Sequence, residues 1–417
     1  MSDHFLQTAH AIGVRLCRDA VWAGGRCGWL GDSMEYIGHA WTVAHRALGA
    51  DLYGGTAGVA LFLARLHALT GERLIRITAE GAARQAASLL AETPAPAQSG
   101  VYAGALGVAW ALMQLAELLD EPEWDAQAQA ALDQIAGHDV ADQGIDVLGG
   151  SAGAIPALID ASRRYRRPDL LELAVRHGER LLAIARRQPH GWSWNTSGGP
   201  AQPPQYDLAG FSHGAAGIGW ALLELHAAAG DDRFLQAAEQ AFAYERALYS
   251  PQHQNWPDLR GLAEAGGQGA PSYMWAWCHG APGIGLARLR AYALTGESAY
   301  RQEAAAAISS TQALLVQPGY LQQSGFSLCH GIAGNAELLI FAAETLGDES
   351  MRAAAERAGE VGIERYEQSS GPWPCGVPGG GETPSLMLGL AGIGYFYLRL
   401  HDAARTPSVL IMPPRAS

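Results

Sequence analysis

The amino-acid sequence predicts an all-α fold, an α/α toroid in which seven inner helices are ringed by seven outer ones. Three observations lead there. A Gly-x-x-Gly followed by an apolar run recurs seven times. Successive copies lie 46 to 66 residues apart, room for two helices and two connections. The run after each motif is apolar nearly all round, as a buried helix requires, whereas the stretches between are amphipathic, as an outer layer requires. A closed ring of such units leaves no apolar end to cap, which favours a toroid over an open solenoid.

Taken in order, residues 1–45 are expected to form a helical segment packing on the toroid. The toroid itself is expected over 46–402. Its copies read GGTAGVALFLARL from Gly54, AGALGVAWALMQL from Ala103, GGSAGAIPALI from Gly149, HGAAGIGWALLEL from His213, HGAPGIGLARL from His279, HGIAGNAELLI from His330 and LGLAGIGYFYL from Leu388. Between them lie Ala-, Leu- and Glu-rich segments such as DRFLQAAEQAFAYERALY, good outer helices. The motif glycines are expected to let backbones approach and to permit positive φ at the helix entry. A phosphate-cradling loop is the alternative, but no strand precedes any copy and the P-loop lysine is missing. The Pro-containing segment 403–417 is expected to fray as a flexible tail.

Composition narrows the function classes. With 48% hydrophobic and 17% charged residues the chain can build a large core, which excludes disorder. The formal charge of −13, without a basic block, makes it a poor nucleic-acid binder. No uncharged apolar run reaches the roughly 18 residues that span a bilayer, and the N-terminus lacks a signal-peptide pattern, so a cytoplasmic location is expected. Five sparse cysteines argue for thiol or metal chemistry rather than a disulfide framework.

If all seven motifs start inner helices, the residues just before them converge on one rim. That column reads Gly54, Ala103, Gly149, His213, His279, His330 and Leu388, with Cys278 and Cys329 one residue earlier and Asp146 three residues before Gly149. A purely structural repeat has no reason to gather these groups. Cys278, Cys329 and His330 suit a catalytic Cys₂His zinc site with an open fourth position. Electron-rich sulfur ligands weaken zinc's Lewis acidity while preserving the nucleophilicity of a bound thiol, which points to thiol alkylation or conjugate addition. Cys17, Cys27 and Cys375 fall outside the column and are read as structural.

From DLYGGTAG to LGLAGIGY the chain resembles the lanthionine synthetase C-like cyclases. FSHGAAG, WCHGAPGIGLARL and SLCHGIAGN carry the likeness, and NWPDLR and PCGVPGGGETPSLMLGLAGIGY are similar to the cyclase domain of class II lanthipeptide synthetases. The resemblance implies an α/α toroid and zinc on Cys278, Cys329 and His330. It implies addition of a peptide cysteine thiol to dehydroalanine or dehydrobutyrine, giving (methyl)lanthionine rings, with His213 and Asp146 in acid/base work. The implied partners are a dehydrated precursor peptide with its leader and a separate dehydratase, since only about 50 residues precede the first motif. Where stand-alone cyclases carry a Tyr after the first zinc Cys and an Arg four residues before it, this chain has His279 and Met274, which makes His279 a second candidate proton donor.

Two long connections, from His190 and from Ser250, are expected to wall the active rim, with Trp192, Trp194 and Trp256 as possible peptide contacts. Other readings remain open. Prenyltransferase toroids hold zinc by Asp, Cys and His rather than Cys-Cys-His, and toroidal glycosidases need paired carboxylates. A non-cyclising, zinc-containing peptide- or glutathione-binding scaffold is the alternative within the same family.

Overall fold

The structure, a computed structural model, describes residues 3–37, 40–196, 207–260 and 270–415. Seven inner helices span Thr56–Thr70, Ala105–Leu119, Ser151–Tyr165, Ala215–Ala229, Ala281–Thr295, Ile332–Leu346 and Leu390–His401. Each begins directly after the first glycine of its motif. Six outer helices, Arg73–Ser88, Pro122–Ala136, Pro168–Ile184, Asp232–Leu248, Ser298–Leu315 and Glu349–Gly362, each pack on the inner helix before them. The seventh outer helix is the N-terminal one, α1 (Asp3–Asp19), which packs on Leu390–His401. The first helix of the chain thus completes the last repeat.

The second motif glycine is the third residue of every inner helix. A Cβ at Gly58, Gly107, Gly153, Gly217, Gly283, Gly334 or Gly392 would strike the backbone carbonyl of the residue six positions earlier. The incoming loop crosses the helix start so closely that no side chain fits. Close approach therefore explains the motif, and the expected positive φ at the helix entry holds only at Gly280, where φ is 90°; the other six capping glycines are extended.

The same loops close the toroid by backbone hydrogen bonds that run from repeat to repeat. Tyr53 N donates to Tyr102 O, Tyr102 N to Leu148 O, Val147 N to Ser212 O, Ser212 N to Cys278 O, Trp277 N to Cys329 O, Cys329 N to Met387 O, and Met387 N back to Tyr53 O, all at 2.8–3.3 Å. The residues two before each motif glycine form this circuit, joined by Val147 and Trp277 one position earlier, so Cys278 and Cys329 are held as neighbours on it.

Two expectations for the chain ends are corrected. Residues 1–45 are not wholly helical. Two antiparallel hairpins follow α1: β1 (Val21–Ala23) with β2 (Arg26–Gly28), and β3 (Leu30–Ile37) with β4 (Ala40–Ala47). The tail does not fray either. Val409, Leu410, Ile411 and Met412 are buried, Tyr102 Oη donates to Val409 O at 2.7 Å, and the Trp277 indole donates to Leu410 O at 2.7 Å. Four consecutive apolar residues pack between the second and fifth repeats, and their burial outweighs the cost of ordering the chain. Among the described residues no helix is long and apolar enough to cross a membrane.

Candidate functional site

The rim gathers the column residues as the repeat predicts. One ligand atom each from Cys278, Cys329 and His330 lies within 4.8 Å of the others. Both cysteines are buried and His330 is partly so. The circuit fixes the two sulfurs, since both cysteine backbones are links in it. His330 is fixed by its ring: Nε2–H donates to Gly376 O at 2.8 Å, and Gly376 N in turn donates to Leu388 O at 2.7 Å. That leaves Nδ1 as the ligating nitrogen, the usual arrangement in which a metal-binding imidazole is oriented through its second nitrogen.

The electrostatics suit a dication. A hydrogen bond between the thiols, with Cys329 donating, holds Cys278 below the ordinary thiol range. The same bond, together with burial, drives Cys329 far above it. The two thiols therefore lose their protons unequally, and a divalent cation bound between them would displace those protons. Burial pushes His330 below the ordinary imidazole value, so it is neutral and able to ligate. Two thiolates and one neutral imidazole fit Zn²⁺ with one position open.

Beside this cluster stands His213. Its Nδ1 meets Asp146 Oδ2 at 2.7 Å, while Asp146 Oδ1 accepts Gly149 N at 2.8 Å. Asp146 therefore folds its own loop and charges the imidazole at once. Burial pulls His213 down, but the hydrogen bond and charge of Asp146 outweigh it, and the ring ends above its ordinary value. Glu245, buried on an outer helix, accepts Gly210 N at 2.8 Å and Ala216 N at 3.0 Å, and so braces the loop that carries His213 on both sides. Arg288 balances Glu245 at 3.1 Å.

His279 lies 5.9 Å from His213 between ring centroids. It is 1% exposed, and burial, then the nearby Arg260 charge, pushes it down to about 4. Its Nδ1 faces Ala209 O at 3.3 Å, and among the described residues Nε2 has no partner. A neutral ring that donates through Nδ1 presents a bare Nε2. Burial and the Arg260 charge thus make the ring a weak base, and among the described residues its Nε2 faces no partner.

Two groups escaped the sequence reading. The Tyr53 hydroxyl is hydrogen-bonded to Cys329. Arg260 is gripped by Asp258, with Nε–Oδ1 3.0 Å and Nη2–Oδ2 2.7 Å, and its Nη2 lies 3.6 Å from Met274 Sδ. Its charge bears on Cys278, Cys329, His213, His279 and His330 alike. The short strand just before it, Pro257–Asp258, pairs with Ser272–Tyr273, which precedes Met274. Thus Arg260 delivers a cation to the place where the sequence has Met274 instead of an arginine.

The remaining cysteines stand apart from the cluster. Cys375 precedes Gly376, and burial pushes its thiol up to about 11; Cys27 is pushed up to about 12 for the same reason. Two of the three tryptophans expected to touch peptide are packing residues: Trp194 and Trp256 are buried, with indoles donating to Leu181 O and Glu245 O. Trp192 is half-buried under Arg187. Parts of both long connections, 197–206 and 261–269, lie outside the described residues.

Comparison with known proteins follows the geometry. The nisin cyclase structure superposes with a TM-score of 0.61 at 17% identity, covering 86% of this chain and 90% of that one. A family 76 α-mannanase from Bacteroides thetaiotaomicron gives 0.52 at 11% identity over 96% of both chains. At such identities both likenesses show the toroid alone. Glutathione S-transferase LANCL1 of Danio rerio is 28% identical over 205 residues, 48% of this chain and 45% of that protein. Lacticin 481/lactococcin biosynthesis protein LcnDR2 of Lactococcus lactis subsp. lactis is 25% identical over 204 residues, 46% of this chain and 20% of that protein. The chain thus matches less than half the length of either relative. The model of the lanthionine synthetase C-like proteins matches residues 46–411, from the loop before the first motif through the packed tail, and with that span the chain belongs to the lanthionine synthetase C-like family.

Proposed function

We propose that the protein is a zinc-dependent lanthipeptide cyclase, adding peptide cysteine thiols across dehydroalanine or dehydrobutyrine to form thioether rings. The observation that carries this reading is the Cys278–Cys329–His330 ligand set beside the His213–Asp146 pair. Zinc bound by the three ligands would supply the acidity that keeps an incoming substrate thiol deprotonated at neutral pH.

The chain's own residues account for the rest. The new C–S bond forms at Cβ while the alkene electron pair moves toward the carbonyl, and a proton must reach Cα. His213, whose protonated form Asp146 favours, is the donor, acting through Nε2 because Nδ1 is committed to the carboxylate. Arg260 faces the negative charge that develops on the carbonyl oxygen, in a position already set by Asp258. Tyr53 holds Cys329 in place. The proton given at Cα replaces the one lost by the substrate thiol, so the reaction is neutral overall. The substrate would be a dehydrated precursor peptide bearing its leader, made by a separate dehydratase.

A second reading follows from the similarity to a protein named as a glutathione S-transferase: the same cluster would bind glutathione or a peptide without closing rings. The two separate on a peptide with one cysteine and one dehydroalanine. Ring closure leaves the mass unchanged but removes the free thiol, so thiol alkylation reads it out. Protection of the thiol by enzyme over the uncatalysed rate supports the cyclase. Protection absent with fully zinc-loaded protein, alongside addition of glutathione to the alkene, would establish the alternative.

A further inference from the structure

Beneath the hairpin β3–β4 lies a cavity of about 480 Å³. Met34, Trp41 and Arg46 of the hairpin line one side, and Tyr53, Leu148 and Leu388 of the toroid rim line the other. Those three rim residues belong to the candidate site. Tyr53 holds Cys329, Leu148 follows Asp146 by two residues, and Leu388 O accepts the Gly376 N–H beside the anchor of His330. The cavity thus adjoins the candidate metal cluster through Tyr53, which lines it and whose hydroxyl is bonded to Cys329.

The hairpin above it is unusual in two ways. It is a ribbon of two strands, and a lone two-stranded hairpin is marginal in water. Its base is tied to the 381–383 loop of the toroid: Gly381 N donates to Asp32 Oδ2 at 2.7 Å and Thr383 Oγ1 to Asp32 O at 3.3 Å. Its outer half carries Tyr36, Ile37 and Trp41, which are 55–67% exposed, with Tyr36 and Trp41 paired across the strands. A cluster of large apolar side chains held out in water on an anchored ribbon marks a binding surface. Among the described residues each strand also has one edge with no paired strand, the template that an extended peptide uses to add a strand.

We infer that the β3–β4 hairpin and the cavity beneath it bind the peptide substrate in extended form, with an apolar side chain neighbouring the reacting residue seated between Trp41 and Tyr53. The inference rests on the cyclase reading for the identity of the peptide. Its occupant follows from position, because the wall residue Tyr53 is hydrogen-bonded to Cys329, so a peptide chain reacting at the cluster extends beside this cavity. The apolar part of the lining, Met34, Trp41, Leu148 and Leu388, selects an aliphatic or aromatic neighbour.

The test measures binding apart from turnover. A short fluorescein-labelled peptide carries dehydroalanine, serine in place of the reacting cysteine, and phenylalanine beside it. Anisotropy gives its Kd for wild type, Trp41→Ala and Met34→Ala, with and without zinc. Trp41→Ala is expected to weaken binding about tenfold, the scale of losing one aromatic anchor. Replacing the peptide phenylalanine by alanine should weaken wild type similarly yet cost little more in the variant, since both changes empty the same contact. Equal Kd values for wild type and both variants would overturn the inference. So would a concentration-dependent dimer that Trp41→Ala dissolves without changing peptide Kd, because a second copy would then cover the face. Wild-type protein that binds the probe through Trp41 but never closes a ring would refute the cyclase reading while leaving this surface standing.

Discussion

Leu410→Ala probes whether the C-terminal segment is part of the fold. Leu410 is 0% exposed, and its carbonyl accepts the indole N–H of Trp277, the residue before Cys278. Truncation removes three carbons, about 0.8 kcal/mol each in transfer alone. The cavity left behind adds to this, since neighbours that pack as tightly as Ile411 and Val409 relax only partly, giving about 3 kcal/mol in all. Urea unfolding followed by tryptophan fluorescence reads the loss as a lower midpoint at unchanged slope. The backbone carbonyl is untouched, so the indole hydrogen bond survives and zinc content should stay at wild-type level. A loss below about 0.5 kcal/mol, the range of ordinary surface substitutions, would mean that the segment is loose in solution and that its pattern of prolines describes it better than its burial does.

Further expectations concern the rim. Elemental analysis should find about one zinc per chain in wild type and Cys375→Ala, and none in Cys278→Ala or Cys329→Ala, because only the latter two belong to the ligand set. His213→Asn should keep zinc but slow cyclisation by about 10²–10⁴, as loss of a general acid does. Activity in wild type should fall as pH rises through the His213 pKa, above the ordinary imidazole value of about 6.5, because the protonated form is the donor. Asp146→Asn removes the carboxylate that raises that pKa while burial still lowers it, so the alkaline limb should move to lower pH; an unmoved limb would exclude His213 as the acid. Arg260→Gln should lower kcat by about 10² with zinc retained, the loss typical of one oxyanion donor.

The repeat and its column were legible because both depend on spacing. A glycine that a crossing loop forces to be bare must recur at one helical position, and seven such positions in the sequence place seven loops on one rim. His213, Cys278, Cys329, His330 and Asp146 converge for that reason alone. What the spacing could not reveal lies one step outside it. Reading the residue directly before each motif passes over Tyr53, which sits one position earlier, in the very register that carries Cys278 and Cys329. Arg260 reaches the site from an aperiodic connection, through a grip by Asp258 that only tertiary structure supplies. The downward shift of His279 comes from burial and then from the Arg260 charge, both set by tertiary packing. The tail carried a signal that composition hid: Val409–Met412 is an unbroken apolar run between prolines, long enough to be buried.

The backbone circuit around the rim acts on the two cysteines as a hoop acts on its staves. In an open array of repeats, one more or one fewer unit alters length and leaves every local spacing alone. Here the gap between Cys278 and Cys329 is an arc of a closed perimeter whose other links run through Met387, Tyr53, Tyr102, Leu148 and Ser212. Adding or dropping a repeat would change the curvature at every link and pull the two sulfurs off their common point. The spacing of the two sulfurs therefore depends on the count of seven. Even the sector that carries neither cysteine, around Tyr102 and Leu148, helps to set the gauge of the candidate metal site on the far side of the ring.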